Sequence, residues 1–116
     1  MKIMHHRKLI AGNAVMSEHA FSNARGLMFT RKLKKGDALI LAVDKESIPD
    51  TAIHMLFVFF PIDVVWLDKN KRVVDFRKNV KPFTPFIKPR EAAQYVVELP
   101  KNTIRNINIG DRFQFS

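Results

Sequence analysis

The chain has 116 residues, a length that fits one domain spanning residues 1–116 with its own hydrophobic core. It has no cysteine, which excludes disulfides and thiolate metal sites, and 47% of its residues are hydrophobic, which does not fit a disordered chain. The formal net charge is +9, so a basic surface is expected.

The N-terminal region predicts short strands. It contains no apolar stretch of signal-peptide length, so we expect a cytoplasmic protein that does not associate with a membrane. Ile3 and Leu9–Ile10 indicate a β arm that ends at the turn signal Ala11–Asn13. Ala14–Met16 indicates a second short strand.

One short helix is expected next, followed by a strand. Ser17 is a suitable N-cap and Gly26 a suitable terminator, which gives a helix of about two turns. Lys34–Asp37 predicts a turn into a buried strand over residues 38–43. The apolar residues of the helix recur at helical spacing: Ala20, Phe21, Ala24 and Leu27.

The most apolar stretch of the chain, residues 53–68, predicts two buried strands. It is too short and too interrupted to cross a membrane, and it is rich in β-branched and aromatic residues. Pro61 divides it, because proline cannot donate to a strand ladder. A buried polar group without a partner costs about 1–3 kcal/mol, so the polar residues of this stretch need partners. They are His54, Asp63 and Asp68.

The C-terminal half predicts a hairpin and an extended crossover. Asp68–Lys71 is a hairpin loop in which Asn70 is suited to a left-handed conformation, and residues 72–77 form the return strand. Residues 81–89 contain three prolines, which preclude a central strand. We expect this crossover to be packed by its two aromatic residues, Phe83 and Phe86.

Two further strands complete the pattern. Residues 94–99 alternate, with Tyr95, Val97 and Leu99 on one face, and residues 112–115 form a last strand. The order of elements predicts an all-β fold with one short helix. We expect a compact β-sandwich or flattened barrel, mostly antiparallel.

Four segments occur in an order that resembles domain-of-unknown-function family 192, small proteins of bacteria and archaea. The similarity extends over residues 14–115 and implies a compact, β-sandwich-like domain without an established activity. The segments are Ala20–Phe29, Ile53–Asp68, Tyr95–Pro100 and Ile109–Asp111.

Three residues are candidates for a ligand site: Arg25, His54 and Asp63. Asp63 lies in an apolar strand and is predicted either to bind a ligand or act as a base, or to accept backbone N–H bonds or pair with Arg25. His54 is a candidate proton shuttle or a satisfied structural histidine. Arg25 is a candidate anion ligand or a clamp that fastens the helix to the sheet.

Other site chemistry has less support. His5, His6 and His19 lie far from His54 in the sequence, so we predict no metal site, and no motif indicates a cofactor. The serines lack a nucleophile-elbow setting. Two phenylalanine pairs are possible stacking platforms for bases or sugars, although we expect core or lid packing. They are Phe83 with Phe86 and Phe113 with Phe115.

The charge is unevenly distributed along the chain. Residues 1–36 carry eight Lys/Arg and one acid, residues 37–68 one Lys and six acids, and residues 69–116 eleven Lys/Arg and four acids. The leading hypothesis is a binding module for a small polar or anionic ligand or a protein partner. The alternatives are nucleic-acid binding through the basic surface, and a hydrolase using Asp63 as base and His54 as acid. The +9 charge is also explained by a lysine-rich solvated surface that serves solubility or thermostability, without a nucleic-acid partner.

Overall fold

The structure is a computed structural model that describes residues 1–17, 33–53 and 60–116. These residues form eight β-strands and one short 3-10 turn, Pro49–Thr51, and the predicted all-β fold is confirmed. No helix in the described ranges has the length and apolar character needed to span a membrane. The strands are β1 (Ile3–His5), β2 (Lys8–Ala11), β3 (Asn13–Ser17), β4 (Asp37–Ser47), β5 (Ile62–Leu67), β6 (Val73–Val80), β7 (Ala93–Pro100) and β8 (Phe113–Phe115).

The strands are arranged in two sheets. A five-stranded sheet has the order β3-β4-β7-β5-β6, and a three-stranded sheet has the order β2-β1-β8. The β3–β4 pair is parallel, and the other pairs of described strands are antiparallel, as predicted. The long strand β7 lies in the middle of the larger sheet, between β4 and β5.

The five-stranded sheet carries a hydrophobic cluster on each face. Alternate residues of β5 and β7 belong to different clusters, since side chains along a strand point to opposite faces. Ile3 and Phe113 of the smaller sheet join the cluster that contains Val97, so the smaller sheet packs against that face. All six residues of β5 are buried as a result, as the apolar pattern of residues 62–67 predicts.

Two predicted elements lie outside the described residues. The helix predicted from Ser17 to Gly26 falls mostly on residues 18–32, and the strand predicted before Pro61 falls on residues 54–59. At the edges of the second gap, Ile53 forms a bridge with Ile87, and Phe60 is buried.

The predicted hairpin after β5 is confirmed, with a difference in its loop. The carboxylate of Asp68 accepts backbone N–H bonds from Asn70 at 2.8 Å and from Arg72 at 3.0 Å. The left-handed residue of the loop is Lys71, with φ 63°, and not Asn70. Because the Asp68 carboxylate captures the N–H of Asn70 in an Asx turn, the reversal of the chain falls one residue later.

The N-terminal arm is a hairpin that the sequence pattern did not predict. Residues of β1 and β2 pair around a two-residue loop, His6-Arg7, and both loop residues have positive φ, at 50° and 64°. Such loops favour Asn and Gly, so a His-Arg pair gives no turn signal.

The prediction that aromatic residues pack the crossover is wrong for Phe86. Phe83 is 53% exposed and Phe86 is 63% exposed. The crossover is held by its backbone instead, since Ile87 exchanges two N–H···O bonds of 2.8 Å with Ile53. In the other phenylalanine pair, Phe113 is buried and Phe115 packs against the same cluster, as expected.

Asp63 is a buried fastening point between β5 and two other parts of the chain. The residue is 0% exposed. Its Oδ1 accepts the backbone N–H of Asn79, near the end of β6, at 2.8 Å. Its Oδ2 accepts the backbone N–H groups of Thr103 and Ile104, in the loop after β7, both at 2.9 Å. One carboxylate therefore supplies acceptors for three N–H groups outside the strand ladders.

Glu98 is a second buried acid, at the centre of the sheet. It is 5% exposed, lies opposite Leu39 of β4 and Val64 of β5, and has the raised pKa expected of a carboxyl in an apolar setting. Burial raises its pKa from 4.5 to about 8. The side chain is therefore mostly protonated in the folded protein at neutral pH.

Replacing Asp63 should cost several kcal/mol of stability. In Asp63→Asn an amide NH2 replaces one acceptor oxygen, so at least one backbone N–H loses its partner, at about 1–3 kcal/mol each. We expect a lower free energy of unfolding in urea by about 2–4 kcal/mol. The exposed Asp44→Asn control should change it by less than about 0.5 kcal/mol. Equal stability of the two variants would contradict the fastening role.

Glu98→Gln should change how stability depends on pH. The folded wild type keeps the Glu98 proton up to about pH 8, while the unfolded chain releases it near 4.5. The free energy of unfolding should therefore fall as pH rises between about 5 and 8, by up to ~1.4 kcal/mol per pH unit. Urea denaturation across this range should show a shallower fall for Glu98→Gln than for wild type. The exposed Glu91→Gln control should follow wild type, and parallel curves for all three proteins would refute the assignment.

Candidate functional site

The three predicted ligand residues are not all within the described part of the chain. Arg25 and His54 lie outside the described residues. Asp63 has the structural arrangement that the sequence left as an alternative, with both carboxylate oxygens accepting backbone N–H bonds. Whether Arg25 and His54 bind a ligand stays a prediction.

The surface carries a cleft on the side of β6, which we call the basic cleft. Its volume is about 670 Å³. The described residues that line it include five exposed cationic side chains and no acidic one. These cations are Arg77, Lys78, Lys81, Lys88 and Arg90, and Phe86 forms part of the wall.

The walls of the basic cleft are fixed by backbone hydrogen bonds. One wall is the end of β6, and the other is the crossover that Ile87 joins to Ile53. Asp75 of β6 is 5% exposed and accepts the backbone N–H of Arg90 at 3.0 Å through Oδ2, while its Oδ1 accepts the N–H of Phe76. The nearest acid of β6 therefore faces inward and anchors the cleft.

Charge pairing in the described residues leaves these cations available for a ligand. The ion pairs found among the described residues are two, and both join a histidine to Asp111. No Lys or Arg of the described ranges takes part in one. Cations that line one cleft concentrate a positive potential there, which attracts an anion.

A second cleft lies beside the β1–β2 hairpin, and we call it the histidine cleft. Its volume is about 740 Å³. The loop after β7 supplies one wall and the hairpin another, so the Asp63 bonds to Thr103 and Ile104 support it from inside. The charged and imidazole side chains that line it are His5, His6, Lys8, Lys35, Lys101 and Arg105.

His5, His6 and Asp111 form a cluster at the edge of the histidine cleft. The Nε2 atoms of His5 and His6 lie 2.8 Å and 3.3 Å from the same oxygen, Oδ2 of Asp111. Oδ2 also accepts the backbone N–H of Asn108 at 2.9 Å. The hydrogen bond from His5, the one from Asn108 and the charges of the two imidazoles lower the pKa of the Asp111 carboxyl.

Sequence reasoning missed both clefts for identifiable reasons. His5 and His6 are separated from Asp111 by more than 100 residues, and only the pairing of β1 with β8 brings them together. For the basic cleft, the sequence signal of a binding site was the presence of cations on both sides of Phe86 in a proline-rich segment. The sequence pattern predicts a packing role for Phe86, whereas its side chain is exposed.

Comparisons with known proteins identify the fold and its relatives. Among solved structures, a protein of unknown function from Novosphingobium aromaticivorans superposes with a TM-score of 0.80 at 16% identity, covering 98% of this chain and 82% of that one. A candidate transcription regulator from Sinorhizobium meliloti gives a TM-score of 0.78 at 19% identity, covering 87% and 79%. At these identities the likeness concerns the fold alone.

Sequence relatives extend the comparison to a named family. A UPF0127 protein of Thermococcus kodakarensis is 35% identical over 98 residues, covering 84% of this chain and 60% of the relative. The chain therefore spans about three fifths of the length of that relative. The DUF192 family model, described as "Uncharacterized ACR", matches residues 4–115. The resemblance found in the sequence is confirmed, and the chain belongs to the DUF192 family.

Proposed function

We propose that this protein is a binding module for an anionic ligand and that the basic cleft is its binding site. The observation that carries the proposal is the lining of that cleft, which has five exposed cations and no acid among its described residues. A volume of about 670 Å³ is within the range of small-molecule sites.

The cations of the basic cleft suit phosphate or carboxylate groups. Arg77 and Arg90 have planar guanidinium groups that can bind such oxygens in pairs, and Lys78, Lys81 and Lys88 add compact point charges. An anion bound among these groups gains from the positive potential of the cleft. A ligand with two or more negative groups fits this lining better than a ligand with one.

Phe86 adds a preference for a ligand with a planar ring. Its side chain is 63% exposed and borders the same cleft as the five cations. An exposed aromatic ring beside cations can stack on a base or another ring while the cations hold the charged part of the ligand.

Single-stranded nucleic acid is a second candidate ligand, and the exposed phenylalanine favours it. Proteins that bind single strands combine a basic groove with aromatic stacking platforms. The net charge of +9 adds long-range attraction for any nucleic acid. The two candidates differ in size of ligand and in the number of charges engaged, and the measurements below separate them.

The other sequence-based hypotheses stay predictions. Arg25 and His54 lie outside the described residues, so their ligand roles stay predictions. Recognition of a protein partner also stays a prediction. Asp63 is fully buried, and its oxygens accept hydrogen bonds from three backbone N–H groups. Both facts argue against a hydrolase that uses Asp63 as its base.

Removing three lysines from the basic cleft should abolish stabilisation by a compact polyanion. Wild type in inorganic tripolyphosphate should show a higher melting temperature, because a ligand at 100 times its Kd adds about 2.7 kcal/mol of stability. The variant Lys78→Ala/Lys81→Ala/Lys88→Ala should lose that shift.

The matched control removes the same charge elsewhere, from three exposed lysines that do not line either cleft: Lys2→Ala/Lys45→Ala/Lys69→Ala. It should keep the shift. Equal losses in both triple variants would show that net charge alone attracts the anion, which would overturn the assignment of the cleft.

Phe86→Ala should separate the two candidate ligands. Stacking of a base on an aromatic ring is worth about 1–3 kcal/mol, so a nucleic-acid ligand predicts weaker binding of a labelled dT15 oligonucleotide by fluorescence anisotropy. For wild type, the slope of log K against log salt should be steeper by about 2 than for the cleft triple-lysine variant, at ~0.7 per phosphate contact. If Phe86→Ala leaves dT15 binding unchanged while the triple-lysine variant loses tripolyphosphate binding, the ligand is a small anion and not a nucleic acid.

A further inference from the structure

The cluster of His5, His6 and Asp111 is chemically distinct from the basic cleft. It provides two imidazole nitrogens and one carboxylate oxygen, and one such ligand atom from each residue lies within 4.8 Å of the others. Imidazole and carboxylate are ligands that Zn²⁺ binds without cysteine, and catalytic zinc sites commonly have three protein ligands and an open position.

We propose that His5, His6 and Asp111 form a binding site for a divalent transition-metal ion, with Zn²⁺ as the best-matched ion. The distances support this assignment. Ligand atoms of a tetrahedral zinc site lie about 3.3 Å apart, given bonds of about 2.0–2.1 Å. The 3.3 Å from His6 Nε2 to Asp111 Oδ2 already fits, and the 2.8 Å from His5 Nε2 needs about half an ångström of widening.

The backbone holds the cluster in place from two sides. The β1–β8 pairing sets His5 opposite Phe113, two residues after Asp111, and the N–H of Asn108 fixes Asp111 Oδ2. His6 lies in the hairpin loop at φ 50°, a left-handed conformation that disfavours residues other than glycine. This loop brings the His6 ring to 4.0 Å from the His5 ring, measured between centroids. Strained residues of this kind cluster at functional sites.

The exposure of the three side chains suits an open metal site. The side chains of His5 and Asp111 are 8% and 15% exposed, whereas that of His6 is 63% exposed. An ion can therefore enter from the His6 side, and its fourth position remains open to water or a ligand. Both histidines also line the histidine cleft, whose Lys8, Lys35, Lys101 and Arg105 attract anions. An anion in that cleft can complete the coordination of the ion.

The ion would take the place of the hydrogen between His5 and Asp111. That hydrogen now lies between His5 Nε2 and Asp111 Oδ2, and a metal ion binds the lone pairs of both atoms instead. The imidazole of His5 then carries its hydrogen on Nδ1. This site does not depend on the basic cleft, so either proposal can fail alone.

The test uses the whole chain and the metal alone. Isothermal titration with Zn²⁺ should give one ion per chain with Kd of about 10 μM or tighter, which corresponds to roughly −7 kcal/mol. Co²⁺ should give visible d–d absorption bands of a four- or five-coordinate ion. Binding only at millimolar Zn²⁺, or to more than one site without saturation, would overturn the proposal.

Two variants locate the site. His6→Ala removes an exposed ligand, and Asp111→Asn keeps an acceptor for the N–H of Asn108, so both should fold, which circular dichroism checks. Each should weaken Zn²⁺ binding at least tenfold and remove the Co²⁺ bands. Asp44→Asn makes the same change at an exposed carboxylate outside the cluster and should bind as wild type, as should the triple-lysine variant of the basic cleft. Unchanged binding in His6→Ala and Asp111→Asn, or an equal loss in Asp44→Asn, would refute the site.

Discussion

The carboxylate of Asp63 is the interaction on which both candidate surfaces depend. It is fully buried, yet its partners are backbone N–H groups of segments that belong to no common strand ladder. The N–H of Asn79 lies between Lys78 and Lys81 of the basic cleft, and the N–H groups of Thr103 and Ile104 lie in a wall of the histidine cleft. Two irregular segments thereby obtain fixed positions from one internal acceptor, which is what a preorganised binding surface requires.

The core strands could be predicted from sequence because their burial leaves a direct pattern. The apolar run of β5 follows from a sheet with both faces covered, and the alternation of Tyr95, Val97 and Leu99 in β7 marks the face that packs against the smaller sheet. The need of Asp63 for partners was also predictable. Its partners were not, because every residue has a backbone N–H and the sequence does not say which of them a carboxylate will meet.

The missed features depend on strand pairing and packing that local sequence patterns do not show. In the sequence, Glu98 alternates with apolar residues as a solvent-facing acid would. It is buried because the face of the sheet that it shares with Val64 is covered by a hydrophobic cluster. The His6-Arg7 loop has left-handed residues without the usual Asn or Gly, and its reason lies in the pairing of β1 with β2 and β8. Local propensity is weakest where tertiary pairing decides the conformation.

The acids near the two clefts do not neutralise the cations of those clefts. Asp63, Asp75 and Asp111 each accept at least one backbone N–H, so their carboxylates are directed to the interior or to turns and not to nearby lysines. A stabilising network of surface ion pairs would instead place acids beside the cations, and no Lys or Arg of the described residues belongs to an ion pair. Because backbone N–H groups are the partners of these acids, the positive charges of each cleft remain unpaired and face the solvent. The proposed anion-binding role explains where both the acids and the cations lie. A lysine-rich surface that serves only solubility or stability explains the number of cations but not their positions.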